Sequence, residues 1–312
     1  MFCSVALLFH FSCDYALARR GRDMPINIPR FTKPSDPNTT ELSSTAIEVA
    51  SFLGIESDLR RLEQIKKNLA SAAPAKPDLE ARQELTELKL NMIATIEQAR
   101  LDIDFVAAEM EDEHVRLLEL YQACNDEQQK RINRANINAF RTNGVLWAVA
   151  EGLDIPTYKH PMYSIPSGTV GIVAGIVPSI FSLYATRTPK EYYKYSSYPN
   201  MLCKIFDYPT IPRTEYPNSV WAYLNAKPVG EPTRSRREVL IEHWLADKNV
   251  HTFKKRDDKA ALDLLTGIKQ DLITPEQLSD KLLMLRETKV IVLQMNRPLM
   301  ELMMLIRGQK QF

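Results

Sequence analysis

Apolar residues recur with a helical period along a long stretch in the first half of the chain. Steps of three or four residues separate Leu85, Leu88, Met92, Ile96, Ala99, Ile103, Val106, Met110, His114, Leu117, Tyr121 and Cys124. The mean step is about 3.55 residues, between the coiled-coil value of 3.5 and the straight-helix value of 3.6. Neither glycine nor proline occurs from residue 78 to residue 143. The pattern predicts one long amphipathic helix with coiled-coil character.

A shorter helical pattern precedes this apolar stripe. Its apolar residues Leu59, Leu62, Ile65 and Leu69 are three or four positions apart, which predicts a helix over 56–72. The segment ASAAPAKP follows it, and the two prolines end the helix. Two coverings of the long stripe remain open. The first helix can fold back to form a helical hairpin within 56–141, or a homo-oligomer or protein partner can cover 85–124 as a coiled coil.

The middle of the chain is apolar and rich in glycine. No charged residue occurs from 161 to 186. A helix over 168–185 would extend about 27 Å, close to the ~30 Å hydrocarbon core of a bilayer. We therefore predict a transmembrane helix there, within a hydrophobic region at 142–186. The alternative is that this region forms the buried core of a soluble fold, because its glycines, serines and threonine make it only moderately hydrophobic.

Small residues recur every four positions within this segment. They are Ser167, Gly171, Gly175 and Ser179. On a helix this spacing places all four on one face, where a second helix backbone can approach closely, as in GxxxG packing in membranes. We predict that this face packs against another helix.

The N-terminal residues favour export. Residues 2–11 form an apolar run, and the small residues of ALA at 16–18 resemble a cleavage site, which makes 1–18 a candidate signal peptide. No Lys or Arg precedes the run and Asp14 lies in the cleavage region, so a translation start at Met24 is the alternative. Residues 19–55 contain clustered prolines and small polar residues, which predicts a linker.

The charges beside the glycine-rich segment predict an orientation. Four basic residues lie within twenty positions after it, and Lys159 is the only one within twenty positions before it. Basic residues prefer the cytoplasmic side of a membrane. The sequence therefore predicts a single-pass membrane protein whose N-terminal part is exported and whose C-terminal part is cytoplasmic.

Residues 187–312 are rich in Tyr and Pro at first and then helical. Thr274, Pro275 and Gln277 predict a capped helix start, because Thr and Gln three positions apart form a capping box and Pro suits the first helical turn. Further upstream, Arg234, Arg236 and Arg237 form a basic cluster. We predict that these arginines contact anionic lipid headgroups, the alternative being the solvated start of a helix.

Composition adds little that is specific. The 312 residues carry a net charge of +1 and are 25% charged and 45% hydrophobic, as in ordinary globular proteins. The charge is uneven, since residues 19–160 hold 19 basic and 23 acidic side chains and residues 187–312 hold 21 and 15. Histidines and cysteines stand at no metal-ligand spacing, and the chain contains no Walker, HExxH or GxSxG motif. We expect no cofactor, no bound metal and no nucleic-acid partner.

Together these patterns predict a mainly α protein with a long helix or hairpin, one glycine-rich apolar segment and a small C-terminal helical domain. The predicted function is that of a membrane-anchored structural or scaffolding protein, not an enzyme, with membrane lipid as one partner. A first alternative is a soluble helical protein whose apolar segment inserts into membranes conditionally, as in pore-formers. A second is a soluble helical enzyme with 144–186 as its core.

Overall fold

The computed structural model describes residues 28–31, 41–71, 79–154, 169–174, 176–177, 180, 193–194, 198–231, 233–268 and 272–309. The first half of the chain contains α1 (Ser44–Phe52), α2 (Glu56–Ser71) and α3 (Leu79–Asp154). The candidate signal peptide at 1–18 lies outside the described residues. The helix α3 has 76 residues and extends for about 110 Å at 1.5 Å per residue.

The second half consists of shorter helices. They are α4 (Leu202–Ile205), α5 (Asn218–Asn225), α6 (Arg236–Ala246), α7 (Lys259–Thr266), α8 (Pro275–Gln294) and α9 (Asn296–Ile306), with a 3₁₀ turn at Pro212–Thr214. Within the described ranges the one sheet is a pair of two-residue strands, β1 (Tyr193–Lys194) and β2 (Leu272–Ile273). These strands are antiparallel, with Tyr193 opposite Ile273 and Lys194 opposite Leu272. The protein is mainly helical, as predicted.

The apolar stripe of α3 is the centre of the hydrophobic core. None of its twelve predicted members is exposed, and eight are fully buried: Met92, Ile96, Ala99, Ile103, Val106, Met110, Leu117 and Cys124. Burying a large aliphatic side chain contributes about 1.5–3 kcal/mol. The helical period of the sequence therefore identified the core-facing side of this helix.

Helices of the same chain cover this stripe. The helix α2 packs along α3, and α8, α9 and α5 pack against α3 as well. Leu59 and Leu62 of α2 and Leu285 of α8 belong to the same buried cluster as the stripe. The hairpin and the C-terminal helices thus share one core, and the apolar seam at 85–124 is occupied within one subunit.

The predicted capped start of the helix at Thr274 is confirmed. The Thr274 side chain accepts a hydrogen bond from the Gln277 backbone N–H, the Gln277 side chain accepts one from the Thr274 N–H, and Pro275 is the first helical residue. The break before Pro298 separates α8 from α9, and Gly308 follows α9 with a φ of 82°. A positive φ suits glycine because it has no Cβ.

The first helix lies where the sequence predicted a linker. Residues 19–55 were assigned to a proline-rich linker, but α1 begins within them at Ser44. Ser43 caps α1 by accepting a hydrogen bond from the Ala46 backbone N–H. Ala46, Val49 and Ala50 are fully buried, and α1 packs on α9, α5 and α2. Tertiary packing thus stabilises a helix too short to be stable alone.

The region at 142–186 differs from its prediction in two ways. Residues 142–154 do not start a new unit, because α3 continues through Gly144 and Gly152. Of the candidate transmembrane helix at 168–185, the described residues 169–174, 176–177 and 180 are helical. In the described part of the chain, however, no helix combines the length and the apolar character that crossing a bilayer requires.

This finding contradicts the predicted single-pass localisation, with its exported N-terminal part and cytoplasmic C-terminal part. The physical reason is visible in the composition. Pro178 and three glycines lie within 168–185, and both residue types weaken the interior of a helix. The longest helix, α3, carries charged side chains along its whole length.

The packing of α3 makes a first prediction. Ile103 is fully buried in the stripe, whereas Leu101, two positions earlier, is 62% exposed. Ile103→Ala should lower the free energy of unfolding by about 2–5 kcal/mol because it leaves a cavity in the core. Leu101→Ala should change it by less than about 0.5 kcal/mol. Urea denaturation of both variants measures the difference, and equal losses would show that the stripe is not the core-facing side.

Candidate functional site

The second half of α3 leaves the core. Between Asn125 and Val149 no side chain is buried, in contrast to the eight buried stripe residues before them. Large apolar side chains on this part are instead exposed: Ile137 (51%), Phe140 (82%), Val145 (64%), Trp147 (49%) and Val149 (46%). We call residues 125–150 of α3 the arm. Clustered exposed apolar residues on one element mark interaction surfaces more often than isolated ones do.

Basic side chains share the outer side of the arm. Lys130, Arg134 and Arg141 are exposed, and none of them has an ion-pair partner among the described residues. At 100° per residue these three bases project within about 60° of the direction of Ile137. No acidic residue occurs from residue 128 to residue 150. The outer side of the arm is therefore both apolar and positively charged.

The inner side of the arm differs from its outer side. Half-buried residues recur there at a helical spacing, including Ile132, Ala135, Ala139 and Leu146, and the side ends at the buried Ala150. Farther along the chain, Ala174 is fully buried, whereas the large side chains Ile172, Val173, Ile176 and Ile180 are exposed. The arm thus has one partly covered side and one that is open.

A cavity of about 430 Å³ lies against α3 before the arm begins. One wall is a single face of α3 and consists of Glu109, Asp112, Glu113 and Arg116. The other wall comes from the segments around α4 and the 3₁₀ turn, and it includes Tyr198, Met201, Ile211 and Arg213. Residues 109, 112, 113 and 116 share a face because they are three or four positions apart.

Ion pairs within the chain occupy the rim of this cavity. Arg213 reaches across from the 3₁₀ turn and donates hydrogen bonds to Glu109 and Asp112. Arg116 pairs with Asp112 on the same helix, at 2.5 Å. The hydrogen bonds to Glu109 and Asp112 raise the pKa of the Arg213 guanidinium. Two of the three carboxylates of this wall, Glu109 and Asp112, are therefore already paired with arginines of the same chain.

Behind the wall lies a buried lysine. Lys281 of α8 is fully buried, and burial lowers its pKa to about 8, although the nearby Glu113 opposes this shift. Burial also raises the pKa of the Glu113 carboxyl, whose Oε2 accepts a hydrogen bond from the Met201 backbone N–H at 3.1 Å. Perturbed pKa values beside a cavity are typical of functional sites, but structural ion pairs produce them too.

The backbone around Lys281 is tightly fitted. Gly267 ends α7 with a φ of 73°, and a Cβ there would lie 2.4 Å from the Tyr198 carbonyl oxygen and 3.6 Å from Lys281 Nζ. The Cys203 thiol donates a hydrogen bond to the Thr266 carbonyl, and burial raises the pKa of that thiol to about 11. A raised pKa keeps the thiol protonated and unreactive. The surroundings of Lys281 thus hold α7, α8 and the α4 segment together.

The three arginines of the predicted lipid contact point to different places. Arg236 is fully buried and makes two hydrogen bonds to Glu48, at 2.7 and 2.8 Å, while its guanidinium lies 4.2 Å from the centre of the Tyr223 ring. Arg234 pairs with Glu231 and Glu242, and Arg237 pairs with Asp207. A buried Arg236 cannot reach a headgroup, so the cluster serves to join α6 to α1 and to neighbouring loops.

Of the predicted small-residue face, the described part is Gly171. It is helical, and a side chain at this position would meet nothing within 4 Å in the described part of the chain. Ser167, Gly175 and Ser179 lie outside the described residues. The predicted role of this face in helix packing therefore stays a prediction.

Two further findings bear on the function of the chain. In the ranges that the structure describes, no group of three or more His, Cys, Asp or Glu side chains is arranged to hold a metal ion. Comparisons of the chain with protein-family models, with curated proteins and with solved structures give no match. The functional interpretation consequently depends on the geometry of this chain alone.

Sequence reasoning missed both candidate surfaces, although signals for them existed. Lys281 lies three positions after Leu278 and four before Leu285, which places a lysine on the core-facing side of α8. The helical face of the buried stripe does not include Phe140, Val145 and Trp147, and apolar residues off that face are expected to be exposed. Neither signal identifies a ligand by itself.

The buried lysine makes a prediction about pH. The folded pKa of Lys281 is about 8 and its ordinary value is 10.5, so between these values the unfolded chain holds a proton that the folded chain has released. The free energy of unfolding should therefore rise with pH across this window, by up to about 3 kcal/mol. Below pH 8 the folded protein should carry the full cost of burying the charged Lys281 ammonium. Lys281→Met should remove this rise.

Urea denaturation from pH 7 to pH 10 measures this effect. The quantity compared is the slope of the free energy of unfolding against pH, in the wild-type protein and in Lys281→Met. Lys259→Met is the matched control, because it removes a lysine whose side chain is exposed. Identical slopes for the wild-type protein and Lys281→Met would contradict a buried, partly deprotonated lysine.

Proposed function

We propose that this chain is a docking protein and not an enzyme: a helical head that holds one long helix and presents the arm of that helix to a macromolecular partner. The head consists of α1, α2, the first half of α3 and α4–α9. The proposal keeps the structural or connective role predicted from the sequence. It does not include a transmembrane anchor.

The observation that carries the proposal is the change in exposure along a single helix. Up to Cys124 the apolar stripe of α3 is buried, although Leu90 and Leu101 beside it are exposed. Beyond Cys124 no side chain is buried as far as Val149, and Phe140 is 82% exposed and Trp147 is 49% exposed. Aromatic side chains contribute strongly to interfaces because they bury a large area with little loss of conformational entropy. A partner would remove these side chains from water.

Coiled-coil pairing of two chains through 85–124 is less well supported than docking through the arm. The seam residues Ile103 and Met110 are fully buried beneath helices of the same chain. A second chain could reach them only by displacing α8 or α2. The arm needs no such rearrangement.

The enzyme alternative, with 144–186 as the core, receives little support from the described residues. Val145, Trp147 and Val149 are exposed on the arm, and Ile172 and Ile176 are exposed farther along. The cavity beside Glu113 is lined by charges that are paired with one another. Its construction is that of a structural ion-pair network.

A photo-cross-linking amino acid placed on the arm tests the proposal. Incorporation at Phe140 or Trp147, in cells of the native host, should yield a covalent adduct with a protein or a lipid. The matched controls are Leu90 and Leu101, which are 60% and 62% exposed on the head half of the same helix. They should yield no adduct.

Adducts at all four positions, or at none, would contradict a docking role for the arm. The experiment does not require the partner to be known in advance. It compares positions of similar exposure on one helix, so that exposure alone cannot explain a difference.

A further inference from the structure

We infer that the partner of the arm is an anionic lipid surface, on which the outer side of the arm lies without crossing the bilayer. This inference rests on the docking function proposed above and names its partner. The site consists of Phe140 and Trp147 with Lys130, Arg134 and Arg141.

The combination of side chains favours a lipid surface. Helices that lie in the membrane interface carry Lys and Arg together with Trp and Phe, and their apolar side enters the headgroup region by about 5–10 Å. Viewed down the helix axis, with 100° per residue, Ile137 and Phe140 lie between Trp147 on one side and Arg134 on the other. Aliphatic and aromatic side chains can thus enter the interface while the neighbouring bases reach phosphate groups.

The charge of the arm disfavours a second copy of the chain as the partner. Lys130, Arg134 and Arg141 lie on one side of the helix, and no acidic residue occurs from residue 128 to residue 150. Two arms facing each other would bring like charges together. An anionic surface, in contrast, complements all three bases at once.

The basic clusters of the head differ from the bases of the arm, because its exposed cluster Lys254, Lys255 and Arg256 is followed directly by Asp257 and Asp258. Arg213, Arg234, Arg236 and Arg237 each pair with a carboxylate of the same chain. Lys130, Arg134 and Arg141 have no such partner among the described residues, so they are available to an external anion. The lipid contact therefore lies on the first half of the chain, not at the predicted Arg234, Arg236 and Arg237.

Vesicle co-sedimentation of the full chain tests the inference. One vesicle preparation contains phosphatidylcholine alone, and the other contains phosphatidylcholine with phosphatidylglycerol. The wild-type protein should bind the anionic vesicles at low salt, and high salt should weaken binding because it screens the charges. Each base contributes roughly fivefold near an anionic surface, so Lys130→Gln/Arg134→Gln/Arg141→Gln should lower the partition coefficient about 100-fold.

A charge-matched control removes three exposed bases from the head instead: Arg82→Gln/Lys248→Gln/Lys259→Gln. Its net charge equals that of the arm variant, and its binding should stay close to that of the wild-type protein. For the apolar contribution, Phe140→Gln/Trp147→Gln should bind at least tenfold more weakly. Leu90→Gln/Leu101→Gln, on the head half of α3, should not.

Trp147 provides a direct readout of contact. Its fluorescence should shift to shorter wavelength when anionic vesicles are added, because the half-exposed indole leaves water, and Trp147→Phe should lose this shift. The other two tryptophans remain as an internal reference, since Trp244 is fully buried and Trp221 is half-buried against Tyr216.

Absence of vesicle binding would overturn the lipid inference, and so would equal binding by the arm variants and their controls. Binding to both kinds of vesicle without salt dependence would overturn the role of the three bases. A protein adduct in the photo-cross-linking experiment, together with no vesicle binding, would retain the docking function and reject the lipid partner. Adducts at none of the four positions would reject the docking function itself.

Discussion

The structure depends on the burial of one apolar stripe of α3 by helices from both halves of the same chain. Met92, Ile103 and Met110 contact a cluster to which α2, α8 and α9 contribute. Because the covering helices are much shorter than the 76 residues of α3, they bury only its first half. The same constraint that builds the core therefore leaves the rest of α3 as an arm.

Ion pairs inside the head join neighbouring elements of the fold. The Arg236–Glu48 pair joins α6 to α1, and Arg213 joins the 3₁₀ turn to α3 through Glu109 and Asp112. Breaking a buried pair by removal of one partner is strongly unfavourable, since an uncompensated charge remains. These pairs also remove charges from the surface, which is why the prominent arginines of the C-terminal half are poor candidates for binding external anions.

The sequence was most informative where a periodic pattern and tertiary packing agree. The stripe from Leu85 to Cys124 and the cap at Thr274 could be predicted because each depends on local spacing. The helix α1 could not, since Ala46 and Val49 become helical through contacts with distant helices. Nor could the pairing of Arg236 with Glu48, which are 188 positions apart. The glycine-rich segment was misinterpreted because length and lack of charge alone resemble a membrane span.

Hydrogen exchange along α3 tests the central claim most directly, namely that one helix is half core and half arm. Backbone amides from Met92 to Cys124 should open only with the unfolding of the head, and their protection should approach the global stability. Amides from Asp126 to Val149 should exchange faster by orders of magnitude, because local opening of an uncovered helix suffices. Equal protection on both sides of Cys124 would show that the arm is buried, and it would contradict the account.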